Sequence, residues 1–126
     1  MSDDRFSFAT RLRSFGFALT GLAFVLRSQH NAWVHLAISV AVIAAGLVVG
    51  LSRADWLWIV LAMSSVLVAE TFNTAIEHVC DVVSPEFSTS VARAKDIAAG
   101  AVLIAACFAV IVGALVFWPY LGKLAG

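Results

Sequence analysis

Apolar residues fall into three long runs along the chain, at residues 32–51, 55–81 and 97–118. About 20 consecutive, mainly apolar residues are enough for an α-helix to cross the hydrocarbon core of a bilayer. The first two runs are joined by a minimal turn, in which Ser52 or Asp55 is suited to capping the next helix. The last two are separated by a polar loop, residues 83–96, in which Pro85 prevents the second helix from continuing. The pattern therefore predicts three membrane-spanning helices.

The N-terminal segment, residues 6–27, has a different pattern, because arginines interrupt its apolar positions. The apolar residues that recur there at steps of three and four are Phe8, Leu12, Phe15, Leu19, Leu22 and Leu26. Such spacing places them in one stripe along a helix, and a basic helix of this kind typically lies in the membrane interface. A helix packed against a partner would show the same stripe and is the alternative. We therefore predict an all-α integral membrane protein with an N-terminal amphipathic interfacial helix and three transmembrane helices, in one domain of residues 1–126.

The composition also argues for a membrane protein and against a soluble globule. Of the 126 residues, 62% are hydrophobic and 13% are charged, whereas soluble domains contain about 25% charged residues. Six of the eight Lys and Arg residues lie in residues 5–27 and in the polar loop before the third run. Because positively charged residues concentrate on the cytoplasmic side of a membrane, both segments and the N-terminus are expected to be cytoplasmic.

The end of the second run carries a line of polar residues that is unusual for a membrane helix: Glu70, Asn73, Glu77 and Asp81. At 3.6 residues per turn these four fall within an arc of about 80°, so they share one face of the helix. A carboxylate inside a membrane costs roughly 2.5–3.5 kcal/mol on insertion scales, which makes such residues candidates for function. The polar stripe formed by these four residues predicts a site that runs from the membrane interior to the cytoplasmic surface.

The residue types in the polar stripe suit magnesium-dependent chemistry. Carboxylate and amide oxygens are hard ligands that Mg²⁺ prefers, and a deeper carboxylate such as Glu70 could accept a proton from a lipid hydroxyl. Arg93, Lys95 and Asp96 follow across the loop, where Lys95 and the N-terminus of the third helix would favour phosphate. Together these groups suggest phosphoryl transfer from a nucleotide to a lipid. A proton or cation pathway through Glu70 is the alternative that the spacing leaves open.

Three sequence elements resemble the prokaryotic diacylglycerol kinase family, small integral-membrane lipid kinases that include undecaprenol kinases. They are ETFNTAIEHVCD at residues 70–81, SPEF at residues 84–87 and AKDIAAGAVLI at residues 94–104. The likeness extends from about Arg13 to Trp118. It implies a homotrimer in the bacterial inner (cytoplasmic) membrane, with sites formed between subunits, that uses MgATP to phosphorylate a lipid alcohol. The implied partners are ATP, membrane lipids and further copies of the chain, and no nucleic acid is expected.

The resemblance also implies roles for individual residues. Glu70 matches the family's catalytic base, which Asn73 supports, and Glu77 matches a metal ligand. The positions that match nucleotide-binding residues of the family, or lie close to them, are Phe17, Asp81, Glu86, Lys95 and Asp96. A second metal-binding glutamate precedes the first span in the family, and Gln29 stands at that position here. Gln29 keeps a carbonyl oxygen but removes one negative charge, so weaker Mg²⁺ binding or use of another carboxylate is expected.

The sequence does not decide which lipid is the substrate, and it leaves two other classes of function as alternatives. Diacylglycerol, converted to phosphatidic acid, is the first expectation for the lipid. Undecaprenol is the alternative, because SPEF and the FWPYL tail at residues 117–121 resemble the branch that includes undecaprenol kinases. A proton- or cation-conducting or transporter oligomer that uses Glu70 is the non-enzyme alternative. The glutamine at position 29 alone gives some support to an inactive membrane interaction subunit.

Overall fold

Four α-helices make up the part of the chain that the structure describes. A computed structural model describes residues 7–126, with helices α1 (Phe8–Ser28), α2 (His30–Val49), α3 (Arg53–Val83) and α4 (Thr89–Leu124) and no strand in this range. Three of them, α2, α3 and α4, are long and apolar enough to cross a membrane. The all-α membrane fold is thereby confirmed. Arg5 and the first residue of the predicted N-terminal helix lie outside the described residues.

Local sequence explains where α2 ends and where α3 begins and ends. α2 stops before Gly50, whose φ of 70° is in the left-handed region that glycine adopts without strain. The Ser52 hydroxyl accepts a hydrogen bond of 3.1 Å from the Asp55 N–H, which confirms Ser52 as the N-cap of α3. α3 continues to Val83 and ends before Pro85, as expected for a proline that cannot extend the helix. One unbroken helix therefore carries the whole polar stripe.

α4 begins earlier than predicted, so the loop predicted over residues 83–96 is wrong beyond residue 88. Only residues 84–88 connect α3 to α4. The segment that begins at Thr89 has no proline or nearby glycine and is rich in alanine, arginine and lysine, which favour helix whether or not they are apolar. Lys95 and Asp96 consequently lie inside α4. Lys95 is about 9 Å of helix rise from the N-terminus of α4, whereas the sequence predicts the two to be adjacent.

α3 and α4 form an antiparallel pair that contains the apolar core. Ile59 and Ala62 of α3 are buried with Val112 and Val116 of α4 and with Leu51 from the turn before α3. This core lies toward the end of the bundle where α3 begins and α4 finishes. The polar stripe starts further along α3, outside the core.

Tyr120 ties the last turns of α4 to the first turn of α3. Its hydroxyl donates a 2.7 Å hydrogen bond to Asp55 Oδ2 and accepts one of 3.1 Å from the Ser52 N–H. Because α4 ends where α3 begins, the opposite end of the bundle brings together the end of α1 and the starts of α2 and α4 around the end of α3. That end is the one at which the polar stripe finishes.

The apolar stripe of α1 is not covered by the rest of the described chain. Phe8 and Phe15 are 71% and 70% exposed, and Val25 is the buried residue of this helix. Close to Val25, the ring of Phe24 meets His78 of α3 edge-on, with the ring centres 5.4 Å apart. The stripe is thus available to a membrane interface or to another chain, and both explanations of it stay open.

Candidate active site

The polar stripe on α3 is graded from buried to exposed. With 31 residues, α3 is about 46 Å long, whereas the hydrocarbon core of a bilayer is about 30 Å thick. One end of the helix therefore reaches the headgroup region. Glu70 and Asn73 are buried, Glu77 is half-buried and Asp81 is exposed. The order along the helix is the one predicted for a site that leads from the membrane interior to its surface.

The innermost carboxylate, Glu70, is paired with a histidine from α2. The Glu70 side chain is 4% exposed, and its Oε1 lies 3.1 Å from Nε2 of His35. Thr74, one turn further along α3, donates to the backbone carbonyl of Glu70 and not to its carboxylate. A buried carboxylate needs a hydrogen-bond donor to offset its lost hydration, and His35 is placed to be that donor. No motif in the local sequence marks His35 as part of the site.

Two carboxamides surround Glu77. Nε2 of Gln29 donates to Glu77 Oε2 at 3.1 Å, and Nδ2 of Asn73 donates to Oε1 at 3.1 Å. The second contact follows from the i, i+4 spacing on α3, whereas the first comes from the residue between α1 and α2. The structure thus brings both amides to Glu77. Asn73 is hydrogen-bonded to Glu77 and not to the Glu70 carboxylate, which the family resemblance assigns it to support.

The group formed by Glu77, Asn73 and Gln29 offers oxygen ligands but only one carboxylate. Residues 7–126 contain no group of three or more His, Cys, Asp or Glu side chains that could hold a metal ion. Asn73 Oδ1 is buried and has no hydrogen-bond partner within that range, so an amide oxygen is available beside Glu77. One carboxylate plus amide oxygens fits Mg²⁺, which commonly binds one or two carboxylates and completes its shell with water and phosphate.

At the outer end of the polar stripe, Asp81 forms an ion pair with Lys95 of α4. Asp81 Oδ1 lies 2.6 Å from Lys95 Nζ, and the two side chains are 64% and 37% exposed. Ion pairs this exposed are screened by water and contribute little to stability. Lys95 can therefore exchange Asp81 for another anion at small cost.

Three residues predicted to bind nucleotide are not brought to the rest of the site within one chain. Phe17 is 75% exposed on α1, and Glu86 and Asp96 are also exposed. Within residues 7–126, Glu86 is hydrogen-bonded only through its backbone carbonyl, which accepts from the Ser84 hydroxyl. The nucleotide roles of Phe17, Glu86 and Asp96 stay predictions.

An apolar cavity opens beside Glu70. Its volume is about 680 Å³, and it is lined by side chains of α2, α3 and α4 together with Leu26 from the end of α1. The lining is mostly aliphatic, and Glu70 and His35 are its ionisable residues. The cavity thus joins a surface suited to hydrocarbon with a buried carboxylate.

The sequence as a whole matches a known family. The family model described as prokaryotic diacylglycerol kinase matches residues 16–117. The chain belongs to this family. The matched range includes the polar stripe, Gln29, His35 and Lys95, so all the paired side chains of the candidate site lie within the family domain. Membership confirms the predicted enzyme class, a lipid kinase.

Relatives within the prokaryotic diacylglycerol kinase family carry the names of two different lipid kinases. The chain is 37% identical over 109 residues to the undecaprenol kinase of Bacillus subtilis (strain 168), covering 86% of this chain and 89% of the relative. It is 38% identical over 114 residues to the diacylglycerol kinase of a Synechocystis species, covering 90% of this chain but 65% of the relative. It is 31% identical over 129 residues to the diacylglycerol kinase of Escherichia coli (strain K12), covering 97% of this chain and 100% of the relative. The family is therefore shown, and the acceptor lipid differs among its members.

Proposed function

We propose that this kinase transfers the γ-phosphoryl group of ATP to the hydroxyl of diacylglycerol and so makes phosphatidic acid. The observation that carries the proposal is the placement of Glu70, a buried carboxylate between an apolar cavity and a polar stripe that leads to the helix end. A lipid alcohol needs such a place, because its tails require an apolar surface while its hydroxyl must meet a base and a phosphate.

Glu70 is the catalytic base in this proposal. The lipid oxygen attacks the γ-phosphorus while its proton passes to the Glu70 carboxylate; the new O–P bond forms as the bond to the ADP oxygen breaks. The aliphatic cavity lining keeps bulk water away from the carboxylate. This exclusion favours transfer to the lipid over hydrolysis of ATP.

Glu77, Asn73 and Gln29 would hold the magnesium ion that accompanies ATP. Glu77 follows Glu70 by about 10 Å of helix rise, on the side where the stripe becomes exposed. The unpartnered Oδ1 of Asn73 and the side-chain carbonyl of Gln29 would join the Glu77 carboxylate as ligands. Bound magnesium supplies positive charge that offsets the phosphate oxygens.

Lys95 approaches the same region from α4 and is proposed to offset phosphate charge. Asp81 holds the Lys95 ammonium group at the surface, where a nucleotide can reach it. Because the pair is exposed, phosphate oxygens can replace the Asp81 carboxylate as the partner of Lys95. Asp81 then positions Lys95 in the free enzyme.

The active unit is proposed to be a homotrimer with sites between subunits. Phe17, Glu86 and Asp96 do not reach Glu77 within one described chain, and many apolar side chains of α1 and α4 are exposed. A neighbouring copy could bring the remaining nucleotide-binding residues to the site and cover part of that surface. Native mass spectrometry of the detergent-solubilised chain measures how many copies associate. A monomer as the only active species would contradict the proposed homotrimer.

The chain is proposed to lie in the bacterial inner membrane with a cytoplasmic N-terminus. Five of the seven described Lys and Arg residues lie on α1 or near the start of α4, and the other two, Arg53 and Lys123, lie at the opposite end of the bundle. The positive-inside tendency places the richer end in the cytoplasm, where ATP is available. The orientation is tested by introducing one cysteine at position 53 or 93 after Cys80 and Cys107 are replaced by alanine, and labelling intact cells with a thiol reagent that does not cross the membrane. Labelling at position 53 and not at position 93 is expected, and the reverse would contradict the orientation.

Undecaprenol is the second candidate for the acceptor. It is supported by the Bacillus subtilis relative, an undecaprenol kinase that matches 86% of this chain. Both lipids present a terminal hydroxyl on a long apolar body, so the Glu70 carboxylate suits either one. The preference for one lipid over the other would therefore depend on the apolar surface around the cavity.

A kinase assay with both lipids side by side tests the proposal. The full-length chain in mixed micelles is given ATP, Mg²⁺ and either diacylglycerol or undecaprenol, and the phosphorylated lipid is measured. We expect faster transfer to diacylglycerol. Faster transfer to undecaprenol would replace the first candidate by the second, and no transfer to either lipid would refute the proposed function.

Glu70→Gln tests the base. The substitution removes the proton acceptor but keeps the size of the side chain, so kcat should fall about a hundredfold or more. Asp55→Asn, the same chemical change at the other end of α3, is the matched control and should keep near-normal kcat. Near-normal turnover in Glu70→Gln would reject Glu70 as the base.

A further inference from the structure

Two side chains near the start of α2 contact two carboxylates of the polar stripe of α3, and the order of the contacts along the two helices is reversed. Gln29 contacts Glu77, and His35 contacts Glu70, each at 3.1 Å. The contacts are about 9 Å apart along α2 and about 10 Å apart along α3, in opposite chain directions. Such matched spacing is what two antiparallel helices produce, so both contacts belong to one register of α2 against α3.

His35 occupies a position between the buried carboxylate and the outside. The Glu70 side chain is 4% exposed and that of His35 is 28% exposed. The other side chains that line the cavity are apolar, apart from the hydroxyl groups of Ser39 and Ser64. Within residues 7–126, His35 is the side chain that the structure places in contact with the Glu70 carboxylate. A carboxylate buried in such surroundings is costly when unpaired, and a hydrogen-bonded partner makes its position better defined.

We propose that His35 is a positioning residue for the phosphoryl-transfer step, an inference that rests on the proposed function. Its Nε2–H donates to Oε1 of Glu70, which fixes the orientation of the carboxylate and leaves Oε2 to receive the proton of the lipid hydroxyl. His35 keeps its own protons throughout: the lipid proton moves to Glu70, the lipid oxygen bonds to the γ-phosphorus, and ADP leaves. The carboxylate is thereby held in the orientation that the reaction requires.

Two substitutions of His35 distinguish its role as a hydrogen-bond donor from its role in filling space. Glutamine at position 35 can place an amide N–H close to where Nε2 lies, whereas leucine fills similar space without a donor. We expect His35→Leu to lower kcat about tenfold to a hundredfold, the factor that a hydrogen bond to a charged group represents. The KM values for ATP and lipid should change less than about twofold, because the contact acts on the base and not on binding.

The matched comparisons decide whether the hydrogen bond matters. His35→Gln should recover most of the lost kcat, and His30→Leu, the same change at an exposed histidine on α2, should behave like the wild type. Circular dichroism and gel filtration in detergent verify that the variants fold. Equal losses in His35→Gln and His35→Leu, a normal kcat in His35→Leu, or a change confined to KM would each overturn the positioning role.

A measurement that needs no turnover separates this inference from the proposed function. NMR of the full chain with ¹⁵N-labelled histidine, without ATP or lipid, should show a His35 Nε2–H resonance that moves on Glu70→Gln, while those of His30 and His78 do not. An unmoved His35 resonance refutes the pair whatever the enzyme phosphorylates. If the resonance moves but the wild type phosphorylates neither lipid, the pair stands while the proposed function and the positioning role fail.

Discussion

Replacing Gln29 by glutamate tests whether this position contacts magnesium. In the structure Gln29 Nε2 donates to Glu77 Oε2 at 3.1 Å. The substitution turns this attractive contact into two carboxylates at hydrogen-bond distance, while Asn73 still donates to Oε1. Without a cation the variant is therefore less stable, because it loses a hydrogen bond and gains a repulsion. When a cation lies between the two carboxylates, both of them attract it, and this attraction outweighs their mutual repulsion.

The size of both effects follows from the geometry. A hydrogen bond to a charged group contributes about 1.5–3 kcal/mol, so the metal-free variant should lose about that much free energy of unfolding. Two unit charges 4 Å apart interact by about 1 kcal/mol in bulk water, so a carboxylate and a divalent cation attract by about 2 kcal/mol even there. Salt screening reduces this gain. We therefore expect the apparent Mg²⁺ affinity to rise about tenfold, which corresponds to roughly 1.4 kcal/mol.

The assay is the Tm of the full-length chain in detergent micelles as Mg²⁺ is added, without ATP or lipid, beside the Mg²⁺ dependence of kinase activity. Stabilisation by a ligand grows with its concentration relative to its Kd, so the Tm curve reports the affinity. Gln29→Glu should start from a lower Tm and respond at about tenfold lower Mg²⁺ than the wild type. The double variant Gln29→Glu/Glu77→Gln keeps one carboxylate and one amide and should follow the wild type. Identical Mg²⁺ titrations for the wild type and Gln29→Glu would refute a metal contact at position 29.

Two further substitutions test the packing of the fold and the proposed nucleotide contact of Lys95. Gly46→Ala should lower the free energy of unfolding by about 1–3 kcal/mol, because a Cβ there would lie 2.7 Å from Trp56 and 2.9 Å from Leu51. Gly122→Ala, whose Cβ meets nothing within 4 Å, is its control, and equal stability of the two variants in denaturation assays would contradict the argument. Lys95→Met should raise the KM for ATP about tenfold with little change in Tm, since its pair with Asp81 is exposed. An unchanged KM would remove Lys95 from the nucleotide site.

The fold could be predicted from the sequence wherever local rules decide it. The apolar runs gave the membrane helices, Ser52 the start of α3 and Pro85 its end. The start of α4 could not be predicted in the same way, because a polar segment can form either a loop or a helix. Helix formation from Thr89 onward depends on backbone propensity and the absence of proline and glycine, and these are independent of whether the side chains are polar.

The site was predictable along α3 but not between helices. The shared face of the polar stripe and the contact from Asn73 to Glu77 follow from helical periodicity alone. The contacts of Gln29 and His35 depend on how far α2 is shifted along α3, and packing of the whole bundle sets that register. Aliphatic surfaces can pack in several registers, so no local pattern in α2 specifies that His35 faces Glu70.

The two contacts from α2 also bear on how the proposed magnesium site would form before a cation binds. Two ionised carboxylates side by side in a partly buried place repel each other, and such a site depends on a metal for its stability. Here Gln29 donates to Glu77, and the positioning role proposed for His35 makes it the donor to Glu70. Hydrogen bonds offset the lost hydration of the carboxylates without a second negative charge. The expected consequence is a proposed magnesium site that is stable without the ion but binds it less tightly than a site with two carboxylates. Replacing Gln29 by glutamate should therefore lower the stability of the metal-free protein and raise its Mg²⁺ affinity.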